Sequence, residues 1–120
     1  FPTRRSSDLR KVTVKEKIKA IAEKYGYDAQ SRQCIEEMAE LTQAINKLWR
    51  KQLGCGEIPF PDDPDTFPSF GKEYDNLVEE IADVQIMLWQ MERFLHCNID
   101  SIVERKLDRQ MERIGNKNSD

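Results

Sequence analysis

The sequence is poor in the residues that most metal, disulfide and redox sites require. Its 120 residues include one histidine, three cysteines, five glycines and five prolines. One histidine is too few for the Glu-x-x-His motifs of di-iron helical bundles, which need two. Cys34, Cys55 and Cys97 are an odd number without Cys-x-x-Cys spacing, so neither a zinc site nor a disulfide framework is expected. We expect reduced thiols, one or two of them buried as small apolar groups.

Two further absences limit the location and the partners of the protein. No apolar run approaches the length of a membrane span, and no signal peptide is visible, so we expect a cytoplasmic protein that does not enter the membrane. The net charge is −3, whereas proteins that coat nucleic acid present a basic surface, so no nucleic-acid partner is expected. A chain of this length fits a single domain.

Helical periodicity dominates the rest of the sequence. Apolar residues recur at helical spacing in four segments, which predict helices over about residues 12–25, 28–53, 72–97 and 100–114. Thr13 and Asp100 are candidate N-caps, and Gly26 and Gly115 are candidate helix ends. We therefore predict an all-α helical bundle of about four helices. The predicted buried sides are Cys34 or Ile35, Met38, Leu41, Ile45, Leu48 and Trp49 in the second helix, and Ile102, Val103, Leu107, Met111 and Ile114 in the fourth.

Two segments do not follow this pattern. Residues 54–71 combine four prolines with aspartates and three phenylalanines, which predicts a long loop that packs onto another surface. Residues 1–9 read like a translated sequencing adapter, and we expect them to be an artefact outside the fold. The predicted domain therefore covers residues 10–120.

The third predicted helix is apolar on two sides. Such a helix is normally central in a fold or lies in a subunit interface. Because so short a chain has few helices to surround it, we expect a homodimer. Trp49 and Trp89 are expected in the core or in this interface rather than stacked on a nucleotide base. The main strip is Leu77, Ile81, Val84, Leu88, Met91 and Leu95, and the second strip is Val78, Ala82, Ile86 and Trp89.

Two stretches share one acidic pattern. Residues 35–41 and 78–84 both read apolar, Glu, Glu, apolar, Ala, acid, apolar. In each copy the second Glu and the final acid are three residues apart, so they lie on one side of a helix. Two such helices packed together would bring Glu37, Glu40, Glu80 and Asp83 to one place. Four carboxylates repel one another strongly unless a cation lies among them.

The type of ligand indicates the type of metal. Carboxylates without histidine suit hard cations, so we expect Mg²⁺, with Mn²⁺ as an alternative. Magnesium commonly binds together with substrate phosphates, which indicates phosphoryl or nucleotidyl hydrolysis. Lys47, Lys106 and Arg109 are available to contact those phosphates. The competing interpretation is that both Glu-x-x-acid pairs are simply solvated helix faces, which are common.

The acidic pair and its neighbours resemble a known family. Glu37-x-x-Glu40 and Glu80-x-x-Asp83 are similar to the signature of the all-α nucleoside triphosphate pyrophosphohydrolases, the MazG-like superfamily that also includes dimeric dUTPases. The similarity extends over residues 25–50, where Gln30 and Gln33 take part, and over residues 76–87. It resumes at Lys106-Leu107-x-Arg109.

The resemblance implies magnesium-dependent hydrolysis of a nucleoside triphosphate to the monophosphate and pyrophosphate, with a role in cleaning the nucleotide pool. It also implies a homodimer or a dimer of dimers. Glu37, Glu40, Glu80 and Asp83 would hold the metal, Lys47, Lys106 and Arg109 would contact phosphates, and Glu36 would support the metal ligands or act as a base. Two alternatives stay open, a non-catalytic helical interaction module of the same fold and a dinuclear oxidase.

Overall fold

The computed structural model describes residues 12–51 and 71–118, and helices are the only regular secondary structure in these two ranges. The three helices are α1 (Val14–Lys51), α2 (Lys72–Phe94) and α3 (Asp100–Asn118). The prediction of an all-α fold is confirmed for this part of the chain. The predicted artefact at residues 1–9 and nearly all of the predicted loop at 54–71 lie outside the described residues.

Helix α1 begins and breaks where the sequence predicts. The Thr13 hydroxyl accepts a hydrogen bond from the backbone N–H of Glu16 at 3.1 Å, which is the N-cap expected there. Gly26 has φ 81° and ψ 167°, so it interrupts the helix and divides α1 into two helical segments. A Cβ at this position would meet no atom within 4 Å. Glycine is therefore required by the backbone conformation and not by lack of space.

Helices α1 and α2 form an antiparallel hairpin. Glu23 pairs with Arg93, and Lys51 pairs with Glu73, so the partners on α2 move backwards as the chain moves forwards along α1. Buried or half-buried positions recur from Gln30 to Leu48 on α1 in alternating steps of four and three residues. This spacing is typical of the narrow seam between two helices packed along their length. The buried residues are Ile18, Ala22, Gln30, Cys34, Ala44 and Leu48 on α1, and Val84, Met87 and Gln90 on α2.

The observed seam is narrower than the predicted buried sides and is rotated from them. In the described part of a single chain, Ile45 and Trp49 are 50% and 57% exposed, and Ile81 is 52% exposed. These predictions are wrong for the single chain, because two helices alone bury only the stripe where they touch. Cys34, of the predicted pair Cys34 or Ile35, is buried, as are Leu48 and Val84, so these predictions are confirmed. The other predicted seam residues that are exposed are Met38, Leu88 and Leu95, and all four residues of the second strip are exposed, namely Val78, Ala82, Ile86 and Trp89.

Helix α2 ends at Phe94, three residues before the predicted end at Cys97. His96 has φ 51°, in the left-handed region, and its backbone N–H donates to the Arg93 carbonyl at 3.2 Å. The Cys97 N–H donates to the Glu92 carbonyl, also at 3.2 Å. These two bonds form a Schellman motif, which closes a helix and is usually signalled by glycine. The sequence has His96 and not glycine at this position, so it did not indicate that α2 ends here.

A buried hydrogen bond joins the two helices of the hairpin. The Gln30 side-chain amide donates to the Gln90 side-chain oxygen at 2.8 Å, and Gln90 is only 1% exposed. We expect Gln90→Leu to lower the free energy of unfolding by about 1–3 kcal/mol, because it leaves the Gln30 amide buried without this partner. The double variant Gln30→Leu/Gln90→Leu should recover most of that loss, since both polar groups are then removed. Urea unfolding of the three proteins measures this difference, and additive losses would show that the bond contributes nothing specific.

Helix α3 packs against neither α1 nor α2 in the described structure. Every residue from Asp100 to Asn116 is exposed. The predicted burial of Ile102, Val103, Leu107, Met111 and Ile114 is therefore wrong for the single chain. The apolar side of α3 exists as predicted, but nothing within the described part of the chain covers it.

The described residues include two of the three cysteines. Cys34 is buried in the hairpin seam and Cys97 is exposed, and both are free thiols. Cys55 lies outside the described residues. Among the described helices, none combines the length and the apolar character that crossing a bilayer requires.

Candidate metal centre

Two glutamates occupy positions within the hairpin seam. On α1, Glu37 lies between buried Cys34 and half-buried Leu41, and it continues their alternating spacing. On α2, Glu80 lies four residues before buried Val84. Both side chains are half-buried. The sequence pattern placed Glu37 beside the apolar stripe, whereas the structure places it inside the stripe.

Three of the four predicted acids come together. One carboxylate oxygen from each of Glu37, Glu40 and Glu80 lies within 4.8 Å of the other two, and we refer to these residues as the acidic cluster. Glu37 and Glu80 are half-buried, and Glu40 is exposed. Each helix of the hairpin therefore contributes to the cluster. Oxygen ligands in this number suit a hard divalent cation, which the cluster could hold with water completing its coordination.

One oxygen on each seam glutamate lacks a partner. The Glu37 Oε1 atom accepts a hydrogen bond from the Gln33 side-chain amide at 2.9 Å. The Oε2 atoms of Glu37 and Glu80 are inaccessible to solvent and have no hydrogen-bond partner among the described residues. A buried carboxylate oxygen without a partner is costly, and a bound cation is one way to satisfy it. These two atoms fit the hypothesis of a metal centre better than that of a solvated helix face.

The fourth predicted acid, Asp83, is exposed and lies outside the acidic cluster. It is nevertheless near enough to act on Glu80. Removal from water raises the pKa of Glu80, and the charges of Glu40, Asp83, Glu37 and, least of all, Glu79 raise it further, in that order of effect. All four predicted acids therefore belong to one electrostatic unit centred on Glu80. Glu36, the predicted supporting residue, is exposed on α1.

The raised pKa of Glu80 predicts how stability depends on pH when no divalent cation is present. Between the ordinary Glu pKa of about 4.3 and the raised value, the folded chain holds more protons than the unfolded chain. The contribution of Glu80 to stability is therefore present below the ordinary pKa and is lost as pH rises through the raised pKa. In EDTA, the melting temperature of the parent should fall relative to that of Glu80→Gln as pH rises from 4 to 7. Parallel pH profiles would contradict this expectation.

The difference between the two proteins removes the contribution of titrating groups that do not interact with Glu80. Glu73, for example, has a lowered pKa, chiefly because the Lys51 ammonium donates a hydrogen bond to it at 2.7 Å. Its contribution has the opposite sign, present above the ordinary pKa and lost as pH falls. Both proteins contain this pair, so its effect cancels in the comparison.

The predicted phosphate-binding cations are not close-packed around the acids within one chain. Lys47 is exposed on α1, two helical turns beyond Glu40. Lys106 and Arg109 lie on α3, which does not pack against the hairpin. The ion pairs Lys51–Glu73 and Arg93–Glu23 do not involve the acidic cluster.

A cleft of about 740 Å³ lies at the other end of the hairpin, around the turn between α2 and α3. Its lining includes Ile18, Trp89, Arg93 and His96, and none of the predicted acids. The cleft and the acids are therefore at different places on the hairpin. The acidic cluster is identified by its chemistry and not by the shape of the surface.

Sequence reasoning gave no role to Gln33. Its spacing of four residues before Glu37 was the available signal, because side chains at that spacing meet on a helix. In the structure the Gln33 side-chain amide donates a hydrogen bond to one oxygen of Glu37, and the other oxygen has no partner among the described residues.

Comparison with known proteins gives no information on the family or function of this chain. No protein-family model, curated protein or solved structure matches this chain significantly.

Proposed function

We propose that this chain is a magnesium-dependent hydrolase that converts a nucleoside triphosphate to the monophosphate and pyrophosphate. The observation that supports this most is the acidic cluster with its two unpartnered oxygens, on Glu37 and Glu80. A hairpin that needed only stability would have apolar residues at both seam positions. Placing two carboxylates there costs stability, and binding a cation offsets that cost.

The substrate class follows from the charge of the site. Carboxylates alone repel a polyphosphate, so the substrate must approach through a cation that both can bind. When bound, Mg²⁺ would neutralise charge on the phosphate oxygens and lower the pKa of a coordinated water. A triphosphate suits this chemistry because its hydrolysis releases a leaving group that is itself a strong magnesium ligand. The resemblance of both acidic motifs to those of MazG-like pyrophosphohydrolases supports a nucleoside triphosphate in particular.

Each predicted site residue has a role in this proposal. Glu37, Glu40, Glu80 and Asp83 hold the metal, with Gln33 fixing the carboxylate of Glu37 through its 2.9 Å hydrogen bond. Glu36, on the exposed side of α1, supports them from outside the cluster. Lys47, Lys106 and Arg109 contact the phosphates. Since α3 does not reach the hairpin of its own chain, Lys106 and Arg109 require either a second chain or a rearrangement of α3 to do so.

The proposal includes a homodimer that completes a helical bundle. The second apolar strip of α2 supports it, because Val78, Ile86 and Trp89 are 43%, 39% and 41% exposed in the single chain. The hairpin alone leaves this strip in water, and a second hairpin would cover it. A cytoplasmic location, where nucleoside triphosphates and magnesium are abundant, fits the same function.

Pyrophosphate release from a panel of ribo- and deoxyribonucleoside triphosphates tests the reaction. We expect release that requires Mg²⁺, stops in EDTA and is confined to one or a few nucleotides. No release from any nucleotide, by protein that circular dichroism shows to be helical, would contradict the proposal. That outcome would favour a non-catalytic interaction module.

A further inference from the structure

Helix α3 carries an apolar stripe that no described part of the chain covers. The stripe consists of Val103, Leu107, Met111 and Ile114, which recur at intervals of three and four residues and so lie along one side of the helix. Their exposed fractions are 42%, 53%, 65% and 53%. An ordered row of large apolar residues in water usually marks a surface that another helix covers.

The charges beside the stripe are segregated by sign. At 100° per residue, Lys106 and Arg113 lie along one edge of the stripe, and Glu104 and Asp108 lie along the other. All four residues are exposed. One edge is therefore basic and the other is acidic over the same stretch of helix.

Two copies of α3 have matching charges along their edges in only one relative direction. When two copies of a helix pair in parallel about a twofold axis, each basic edge lies beside the acidic edge of the partner. When they pair antiparallel, basic meets basic and acidic meets acidic, which is repulsive. The charge pattern thus favours a second copy of the same helix, paired in parallel.

We propose that α3 is a dimerisation helix, whose apolar stripe packs in parallel against the same stripe of a second copy of this chain. The surface is distinct from the strip on α2. It includes Lys106, which the proposed function assigns to phosphate contact, but the pairing is argued from the stripe and its charged edges and not from the reaction. The stripe spans about three helical turns, so the contact between the two copies of α3 is short and of limited stability. We expect the pair to form at micromolar concentrations. Parallel pairing also places the two hairpins at the same end of the helix pair.

Disulfide crosslinking tests both the pairing and its direction. The full chain would carry Cys55→Ser and Cys97→Ser, with buried Cys34 retained. Val103→Cys and Ile114→Cys are introduced separately, one chain bearing a size tag. We expect each variant to crosslink to itself at tens of micromolar under mild oxidation, because a disulfide requires Cα atoms within about 7 Å. Mixing the two variants should give no product that joins position 103 to position 114.

The other outcomes would overturn the proposal. Crosslinks only between positions 103 and 114 would indicate antiparallel pairing. No interchain crosslink from either variant, in protein that remains helical, would indicate that α3 does not pair with itself. Arg105→Cys, on the side of α3 away from the stripe, is the matched control and should not crosslink.

Charge variants test the role of the two edges. Lys106→Glu with Arg113→Glu makes both edges acidic, and Glu104→Lys with Asp108→Lys makes both edges basic. In the Val103→Cys background we expect each pair of changes alone to reduce crosslinking at least about tenfold. An equimolar mixture of the two should restore crosslinking. Unchanged yields in the separate variants would show that the edges do not select the partner.

Discussion

The Glu80→Gln variant is expected to be more stable than the parent in EDTA and less stable than the parent in excess Mg²⁺. Without a cation, the change removes a charge from the acidic cluster, and the new amide can donate a hydrogen bond to a neighbouring carboxylate. With the cation, the parent gains stability by mass action and the variant does not. At Mg²⁺ one hundred times its Kd, the melting temperature of the parent should rise by roughly 10 °C or more.

Thermal melts of four samples measure this reversal, namely the parent and the variant in EDTA and in Mg²⁺. Glu79→Gln is the matched control, because it removes the same charge from the exposed side of α2, one residue away. That control should keep the magnesium-dependent rise. If the parent and Glu80→Gln keep the same order under both conditions, the acids do not form a metal centre.

The second large effect that we expect is a loss of catalytic turnover when the exposed acids are replaced. Glu40→Gln and Asp83→Asn should each reduce magnesium-dependent pyrophosphate release by at least about 100-fold, because removing even groups that support metal ligands commonly costs 10–100-fold. Both residues are exposed, so we expect the variants to fold as the parent does. This separates a loss of chemistry from a loss of structure.

Steady-state assays with the responsive nucleotide, at several Mg²⁺ concentrations, provide the measurement. A rise in the Mg²⁺ concentration needed for half-maximal rate would identify the residue as a metal ligand. Glu79→Gln should keep nearly the full rate. Equal rates for Glu40→Gln, Asp83→Asn and this control would show that the predicted acids are not the catalytic residues.

The facing of the acidic motifs could be predicted from sequence because it depends on helical phase. Glu37 and Glu80 occupy equivalent positions in two copies of one pattern, so packing along that side turns them toward each other. Their meeting also requires the axial register of the antiparallel hairpin, which the structure supplies. The break at Gly26 and the cap at Thr13 were also predictable, since each follows from the conformational preference of one residue.

The exact line of contact between the helices was not predictable in the same way. Apolar residues such as Ile45 and Ile81 lie next to the seam, and only the pairing of two specific helices decides which of them touch. Gln90 illustrates the difficulty, because a polar residue in the seam is recognised only when its partner Gln30 is known to lie opposite. The end of α2 was missed because His96 adopts a backbone conformation for which glycine is the usual signal.

The position of α3 depends on more than the sequence of one chain. Its apolar stripe correctly predicted an amphipathic helix, but periodicity does not identify what covers an apolar side. The charged edges of the stripe, Lys106 and Arg113 against Glu104 and Asp108, are the basis of the proposal that a second copy covers it.

Equilibrium binding of Mn²⁺, followed by electron paramagnetic resonance of the free ion, tests the central claim most directly. Mn²⁺ serves as a spectroscopic substitute for Mg²⁺ with the same preference for oxygen ligands. We predict saturable binding by the parent, competition by Mg²⁺, loss of binding in Glu37→Gln and Glu80→Gln, and full binding in Glu79→Gln. Absence of binding by the folded parent, or binding that survives both seam variants, would contradict the assignment of the acidic cluster as a metal centre.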